Sequence, residues 1–373
     1  MDAGENGAEI ARSFGAPVLA VCGFSGSGKT TLLEAAIPRL VARGLAVAVV
    51  KHDAHGFVVD REGKDSDRLF RAGATVALRG PSEQFLRRGA GAALTLAATL
   101  EDLARDHDLV LVEGHKETPL PKLWMASAET PAPPEEVTGV REVFPWNGPR
   151  LERFLELLDR WLPEAWRARP LHAGLLVGGK SSRMGSPKQL LRFGESSLGE
   201  IVAQALNDGL NSAGDGPRCA DAWNPHLAVL GAGELPHPLQ ELTRLPDIAG
   251  VSGPLVGLLA AHRWAPQSAW ILAACDHPRV RSADIRALME QRQPGRWAIL
   301  SRQPDGHPCP TLALYEPQAL RLLERSLLER GANPPRLAEL IDHPRTWVSP
   351  QISDGTIDVN TPLDLQAEKM RSE

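Results

Sequence analysis

Two short segments carry residue types at spacings suited to gripping a polyphosphate. The first, GFSGSGKT from Gly23 to Thr30, fits G-x-x-x-x-G-K-[ST]. In such a loop the backbone N–H groups and a helix amino terminus face the anion, Lys29 reaches the β- and γ-phosphates, and the Thr30 hydroxyl can ligate Mg²⁺. Gly23, Ser25, Gly26, Ser27, Gly28, Lys29, Thr30 and Thr31 are the nucleotide-binding candidates there. The second segment is LLVGGKSSRMGSPKQLL, Leu175 to Leu191. Leu176 and Val177 close an apolar run at Gly178-Gly179, where bare backbone can approach a phosphate that a Cβ would hold away. Lys180, Arg183 and Lys188 supply charge, Arg183 as a planar fork and Lys188 as a mobile point charge.

The flanks predict what must position these groups. Val18 to Cys22 reads as a buried strand before the first loop, and LLEAAIPRLVARG as a helix ending at Gly44. Leu45 begins a second strand that ends in Lys51, His52 and Asp53, and DLVLVEGHK is an apolar strand ending in Glu113. Strand ends of this kind form the ligand-binding edge of an open α/β sheet. Glu113 is a candidate Mg²⁺ residue, whereas His52 and His55 lack a third ligand for a metal site. In the second half AWILAACDHPRV predicts a buried strand running out to Asp276, whose charge a phosphate-bound Mg²⁺ would balance. Asp358 and Asn360, two apart on an extended segment, point to one side of it.

The remaining chain sets boundaries. With 373 residues, two domains are expected, at 1–165 and 166–373. A balance of 41 Lys+Arg against 46 Asp+Glu argues against general attraction to nucleic acid or anionic membrane, so phosphate binding must be local. Cys22, Cys219, Cys275 and Cys309 are scattered without a C-x-x-C pair, which suits a reducing compartment. No apolar stretch is long enough to span a bilayer and the first residues lack the order of a secretion signal, so a cytoplasmic protein is expected. Pro119 to Pro134 is expected as a surface loop with Trp124 packing back, and Asn211 to Pro225 as another loop. Leu151 to Leu162 has an apolar helical face, and Pro163 to Pro170 is expected to stop that helix and form a joint.

GFSGSGKTTLLEAAIPRL, VVKHDAHGFVVD, GKDSDRLFRAGA and LVLVEGHK together resemble the MobB-type molybdopterin-guanine dinucleotide adaptor proteins. The resemblance implies a P-loop NTPase domain with a mostly parallel sheet that binds GTP and hydrolyses it slowly, if at all. It carries over to Gly23, Gly28, Lys29 and Thr30, and to Lys51, His52, Asp53, Asp60, Asp65 and Glu113; His115 is assigned no role. LLVGGKSSRMGSPK, PD…GPLVGLLAA, ACDHP and DVNTPLDL resemble the MobA-type molybdenum cofactor guanylyltransferases and related nucleotidyltransferases, which implies a Rossmann-like α/β domain. By that correspondence Gly179 and Lys188 contact the nucleotide, Asp247 lies near base and ribose, Asp276 holds Mg²⁺, and Asp358 with Asn360 borders the active site. Lys188, Arg183 and Asp276 are the catalytic candidates.

The implied whole is a fusion that transfers GMP from GTP to molybdopterin. Molybdopterin-loading proteins and molybdoenzyme apoproteins or chaperones are its implied partners, and a homodimer through the first half is compatible with the resemblance. Pro187 stands where the guanylyl members usually have Asp, and Lys188-Gln189-Leu190-Leu191 is closer to the cytidylyl branch, so a CTP-dependent enzyme is one alternative. A non-catalytic, GTP-dependent delivery protein is the other.

Overall fold

The computed structural model describes residues 16–53, 60–89, 95–178, 185–212, 223–330 and 333–372. Gly179, Lys180 and Arg183 of the second glycine segment lie outside them, as do His55 and Cys219.

The first half is a five-stranded parallel sheet. In chain order it contains β1 (Val18–Cys22), helix α1 (Lys29–Ala42), β2 (Val47–Lys51) and α2 (Asp65–Arg71). A small antiparallel hairpin, β3 (Val76–Arg79) with β4 (Gln84–Arg87), then precedes α3 (Leu96–Ala104), β5 (Leu109–Glu113), β6 (Lys122–Met125), β7 (Val140–Phe144) and α4 (Arg150–Arg167). The sheet order is β2-β5-β1-β6-β7. Strands β1 and β5 read as unbroken apolar runs because both faces are covered. Leu19, Val21, Leu109 and Leu111 meet α1 and α4 on one face. Val18, Ala20, Val110 and Val112 meet Leu100 of α3 on the other.

Two expectations fail in this half. Lys122–Met125, placed on a surface loop, is a fully buried strand between β1 and β7. Its flanking prolines hide it, since four residues with neither alternation nor length give no strand signal. Lys122 is wholly buried there, with Nζ donating to the carbonyls of Thr118, Leu120 and Thr138, so its charge is dispersed over backbone dipoles. Helix α4 also does not stop at Pro163 but continues to Arg167. The proline removes one bond to the preceding turn. Burial of Ala165 and Trp166 beyond it, with the Trp166 indole N–H donating to Glu316, offsets that loss.

The second half is a seven-stranded mixed sheet. It contains β8 (Leu171–Leu176), the short pair β9 (Arg192–Phe193) and β10 (Ser196–Ser197), α5 (Leu198–Asn211), β11 (Leu227–Leu230), β12 (Thr243–Leu245) and α6 (Pro254–Trp264). Strand β13 (Ala269–Ala274), α7 (Ser282–Glu290), β14 (Ala298–Arg302), β15 (Pro308–Tyr315), α8 (Pro317–Arg330), β16 (Thr346–Ile352) and α9 (Pro362–Ser372) follow. The order is β12-β11-β8-β13-β15-β14-β16, with β15 antiparallel to both neighbours. No helix among the described residues is long and apolar enough to cross a membrane.

The halves abut at the amino edges of both sheets. Asp108, just before β5, is fully buried and accepts from the Ala46 N–H at 2.7 Å, the Trp297 indole at 2.8 Å and Arg345 at 2.7 Å. Burial pushes its carboxyl upward, against those donors. Glu316, just after β15, is also fully buried and pairs with Arg292 at 2.8 Å and Arg169 at 3.7 Å. Gln318 donates to the carbonyl of His107 at 3.0 Å, and Arg325 pairs with Asp106 at 2.6 Å.

Near this edge His172 of β8 stacks on Trp270 at 4.9 Å and meets His226 at 3.3 Å. Burial, then the neighbouring His226, pushes its imidazole down to about 4. A depressed folded value means that stability is present above the unfolded value of about 6.5 and is lost as the pH falls toward the folded one. His172→Gln is expected to flatten the acid limb of a urea-midpoint profile between about pH 6.5 and 4.

Candidate functional site

Each sheet presents one candidate site at its carboxyl edge. In the first half the loop after β1 turns at Gly23 and Gly26 and enters α1 through Gly28, which has φ 87°. That left-handed conformation strains any other residue. A Cβ on Gly23 would come within 2.6 Å of the Met125 carbonyl, so the loop lies directly against β6. Lys29 Nζ donates to the Gly23 and Phe24 carbonyls at 3.1 and 2.8 Å, which holds the ammonium across the loop mouth. Its pKa is lowered by burial, against the charge of Glu113. Thr30 Oγ1 donates to Glu113 Oε1 at 2.7 Å, and Lys51 Nζ stands 3.7 Å from that carboxylate. The strand-end residues predicted from β2 and β5 therefore converge on the loop. Thr31 is exposed, and Ser27 is buried beneath the loop. His52 and His115 approach at 4.6 Å between ring centres, and among the described residues no group of three or more His, Cys, Asp or Glu side chains could hold a metal ion.

Asp60 and Asp65 lie apart from this cluster in the described contacts. Asp60 pairs with Arg87 at 3.2 Å and accepts from Ser66, which ties the approach to α2 onto the β3–β4 hairpin. Asp65 sits in the first turn of α2, 3.8 Å from Arg68.

Sequence reasoning missed Arg150, the first residue of α4. Its guanidinium donates to the Ser27 carbonyl at 2.6 Å and the Pro145 carbonyl at 2.7 Å, bracing the loop from below. No motif marks it; its only signal is a cation following the turn formers Gly148 and Pro149. Arg150→Ala is expected to weaken nucleotide binding by the loop about tenfold, the equivalent of one charge-assisted hydrogen bond. Fluorescent-nucleotide titration of the full chain measures it, and an unchanged Kd would remove the bracing role.

In the second half β8 ends at Leu176, and Gly178 follows with φ 99°. A Cβ on Gly178 would lie 2.9 Å from the Ala232 carbonyl, and one on Gly231 would lie 2.3 Å from the Val177 carbonyl. The ends of β8 and β11 are thus pressed together, with Asp247 beside Gly231 on exposed backbone after β12. Lys188 opens a single helical turn. Its Nζ donates to Asp276 Oδ2 at 2.8 Å and to Asn360 Oδ1 at 2.7 Å. Asn360 donates in turn to Asp358 at 2.6 Å, as expected for residues two apart on one side of an extended segment. The Asp276 carbonyl accepts from Val359 N–H at 2.9 Å, which fixes the segment against the end of β13. The next helix, α7, is preceded by Arg281 as its cap, so Asp276 is not committed to capping. Lys188 and Asp276 are 15% and 20% exposed, low enough for the ion pair to resist screening by solvent. The Lys188 ammonium, oriented by Asp276 and Asn360 beside the close-pressed strand ends, can neutralise charge that develops on a polyphosphate.

Cys22, Cys275 and Cys309 are buried and free. His277, adjacent to Asp276, is buried with Nε2 3.0 Å from Thr311 Oγ1.

Comparison with known proteins finds two family matches. The Molybdopterin guanine dinucleotide synthesis protein B family matches residues 18–141, and the MobA-like NTP transferase domain matches residues 173–343. A molybdopterin-guanine dinucleotide biosynthesis adapter protein of Haemophilus influenzae is 35% identical over 172 residues, which cover 41% of this chain and 93% of that protein. A molybdenum cofactor biosynthesis bifunctional protein of Synechocystis is 27% identical over 158 residues, 42% of each chain. A probable molybdenum cofactor guanylyltransferase of Pelotomaculum thermopropionicum is 25% identical over 204 residues, covering 53% of this chain and 92% of that one.

Proposed function

Because the chain belongs through its first half to the Molybdopterin guanine dinucleotide synthesis protein B family and carries a MobA-like NTP transferase domain in its second, we propose that it is a bifunctional molybdenum cofactor biosynthesis protein. Its second half transfers GMP from GTP to molybdopterin, giving the guanine dinucleotide and pyrophosphate. Its first half is a GTP-binding adaptor. The observation that carries the reading is Lys188, held at 2.8 and 2.7 Å by Asp276 and Asn360 on the edge where Gly178 ends the first strand of the transferase sheet.

In this reaction a terminal phosphate oxygen of molybdopterin forms a bond to the α-phosphorus of GTP. The bond from that phosphorus to the bridging oxygen breaks, and pyrophosphate leaves with the electron pair. The substrate supplies the nucleophile, so the chain contributes alignment and charge neutralisation. Lys188 faces the triphosphate, Asn360 orients the ammonium, and Asp247 borders base and ribose. Gly179 and Arg183 complete the phosphate grip in this reading.

Asp276 in the second half, and Thr30 with Glu113 in the first, are hard oxygen donors of the type Mg²⁺ takes. Bound there, Mg²⁺ supplies neutralisation of phosphate charge. On the adaptor side the partners are molybdopterin-loading proteins and molybdoenzyme apoproteins.

The features that resemble the cytidylyl branch carry less weight against the structure. Gln189 is buried and donates to the Glu234 carbonyl at 2.9 Å, so it packs the turn behind Lys188 and does not read a base. Incubating the full chain with molybdopterin, Mg²⁺ and either GTP or CTP, then weighing the product, tests the assignment. A GMP adduct is expected; a CMP adduct establishes the cytidylyl enzyme, and no adduct with either nucleotide leaves the delivery protein.

A further inference from the structure

The junction joins the amino edges of both sheets, whereas both phosphate-binding loops leave carboxyl edges. On the first sheet Asp106, His107 and Asp108 precede β5, and the loop that holds Lys29 follows β1. On the second, Trp297 precedes β14 and Glu316 follows the antiparallel β15, both level with the start of β13. Lys188 and Asp276 lie at the far end of that strand. Five residues of β1 and six of β8 place each loop about 17–20 Å from the junction at ~3.3 Å per residue, on its own side. Helix α4 reinforces the spacing: its 18 residues, about 27 Å at 1.5 Å each, run from Arg150 under the first loop to Trp166 in the junction. The junction is a poor hinge. Asp108 is fully buried and pairs across it with Arg345 and Trp297, and fully buried Glu316 accepts from the Trp166 indole of α4, so rotation of the halves would separate those contacts.

We infer that the P-loop and the transferase site of one chain do not act on the same bound molecule, so an adaptor half need not share a chain with the transferase site whose product it helps to deliver. It then serves product from other copies of the chain as readily as its own. This rests on the transferase assignment above. Direct transfer within a chain would need the two carboxyl edges to face a common space, whereas each lies a full strand length from the shared amino-edge junction.

The test mixes two full-length variants, Lys29→Ala and Asp276→Asn, with GTP, molybdopterin, Mg²⁺ and a molybdoenzyme apoprotein as acceptor. Cofactor loading of the acceptor is the readout. Each variant alone is expected to load poorly, and the equimolar mixture to recover at least half the parent rate. A mixture no better than its components overturns the inference, and so does parent-level loading by Lys29→Ala alone. Dinucleotide weighed directly in the Asp276→Asn sample separates failure of the transferase assignment from failure of this one.

A distance measurement needs no activity. Trp146 beyond β7 and Leu363 beside Asn360 are 59% and 76% exposed, whereas Cys22, Cys275 and Cys309 are buried. Spin labels on Trp146→Cys and Leu363→Cys, in a Cys219→Ser background, are expected more than about 30 Å apart with and without GTP. A shorter separation, or contraction when GTP is added, refutes the arrangement.

Discussion

Asp276→Asn is expected to lower kcat for dinucleotide formation by about 10²–10³-fold while changing GTP affinity only a few-fold. The substitution keeps the side chain's size and removes its charge, so Lys188 loses the ion pair at 2.8 Å but retains Asn360 at 2.7 Å. An interaction whose strength grows as charge moves onto the leaving pyrophosphate acts on turnover more than on ground-state binding. Lys188→Met should give a loss of the same order, because it removes the other member of the pair. The double variant should then be little worse than the poorer single one, since residues that act as a unit are not additive. Steady-state kinetics with saturating Mg²⁺ and separately measured GTP binding check this. Parent-rate turnover by Asp276→Asn would falsify the role given to it.

The largest stability effect is expected at Glu316. Burial pushes its carboxyl up, but Arg292 and Arg169, with the Trp166 indole, hold it below the usual carboxylate range. Glu316→Gln would leave two guanidinium groups facing a neutral amide at a site where Glu316 is fully buried and Arg169 and Arg292 are 2% and 3% exposed. Breaking one partner of a buried pair costs ~3–5 kcal/mol. The pH dependence follows from the depressed value: the ion pair's contribution is present above the unfolded carboxyl pKa, near 4.5, and is lost as the pH falls below it. Urea midpoints from pH 7 down to pH 3 should therefore separate parent and variant at neutral pH and bring them together in acid. A constant gap across that range would mean that the charge is not what Glu316 contributes.

The parts of the molecule legible in the sequence are those with local causes. The first loop announces itself because Gly28 must adopt a left-handed turn and Lys29 must follow it, and the strands beside it are long apolar runs. Asp276 is legible as a carboxylate leaving such a run, and Asp358 with Asn360 through strand periodicity. The links among Lys188, Asp276 and Asn360 span 88 and 172 residues, and no spacing rule reports contacts of that kind. The resemblance to known families supplied those residues as a set. Arg150 belongs to the same class of invisible contact, since it reaches Ser27 across 123 residues. Lys122–Met125 escaped for the opposite reason: short strands bounded by prolines look like loops until neighbours on both sides supply their hydrogen bonds. Helix α4 passed its proline because tertiary packing beyond Pro163 outweighs one lost backbone bond.

The buried pairs at the junction bear on how the protein can be produced in pieces. A polypeptide ending after α4 would expose Trp166 and Asp108, and one beginning at β8 would expose Trp297 and Arg345 and leave Glu316 without Trp166 and Arg169. Each fragment would carry sticky, unneutralised surface and be prone to precipitate. Polar substitutions for the tryptophans, made together with neutral replacements for the orphaned ions, would be needed before either fragment could be concentrated for separate study.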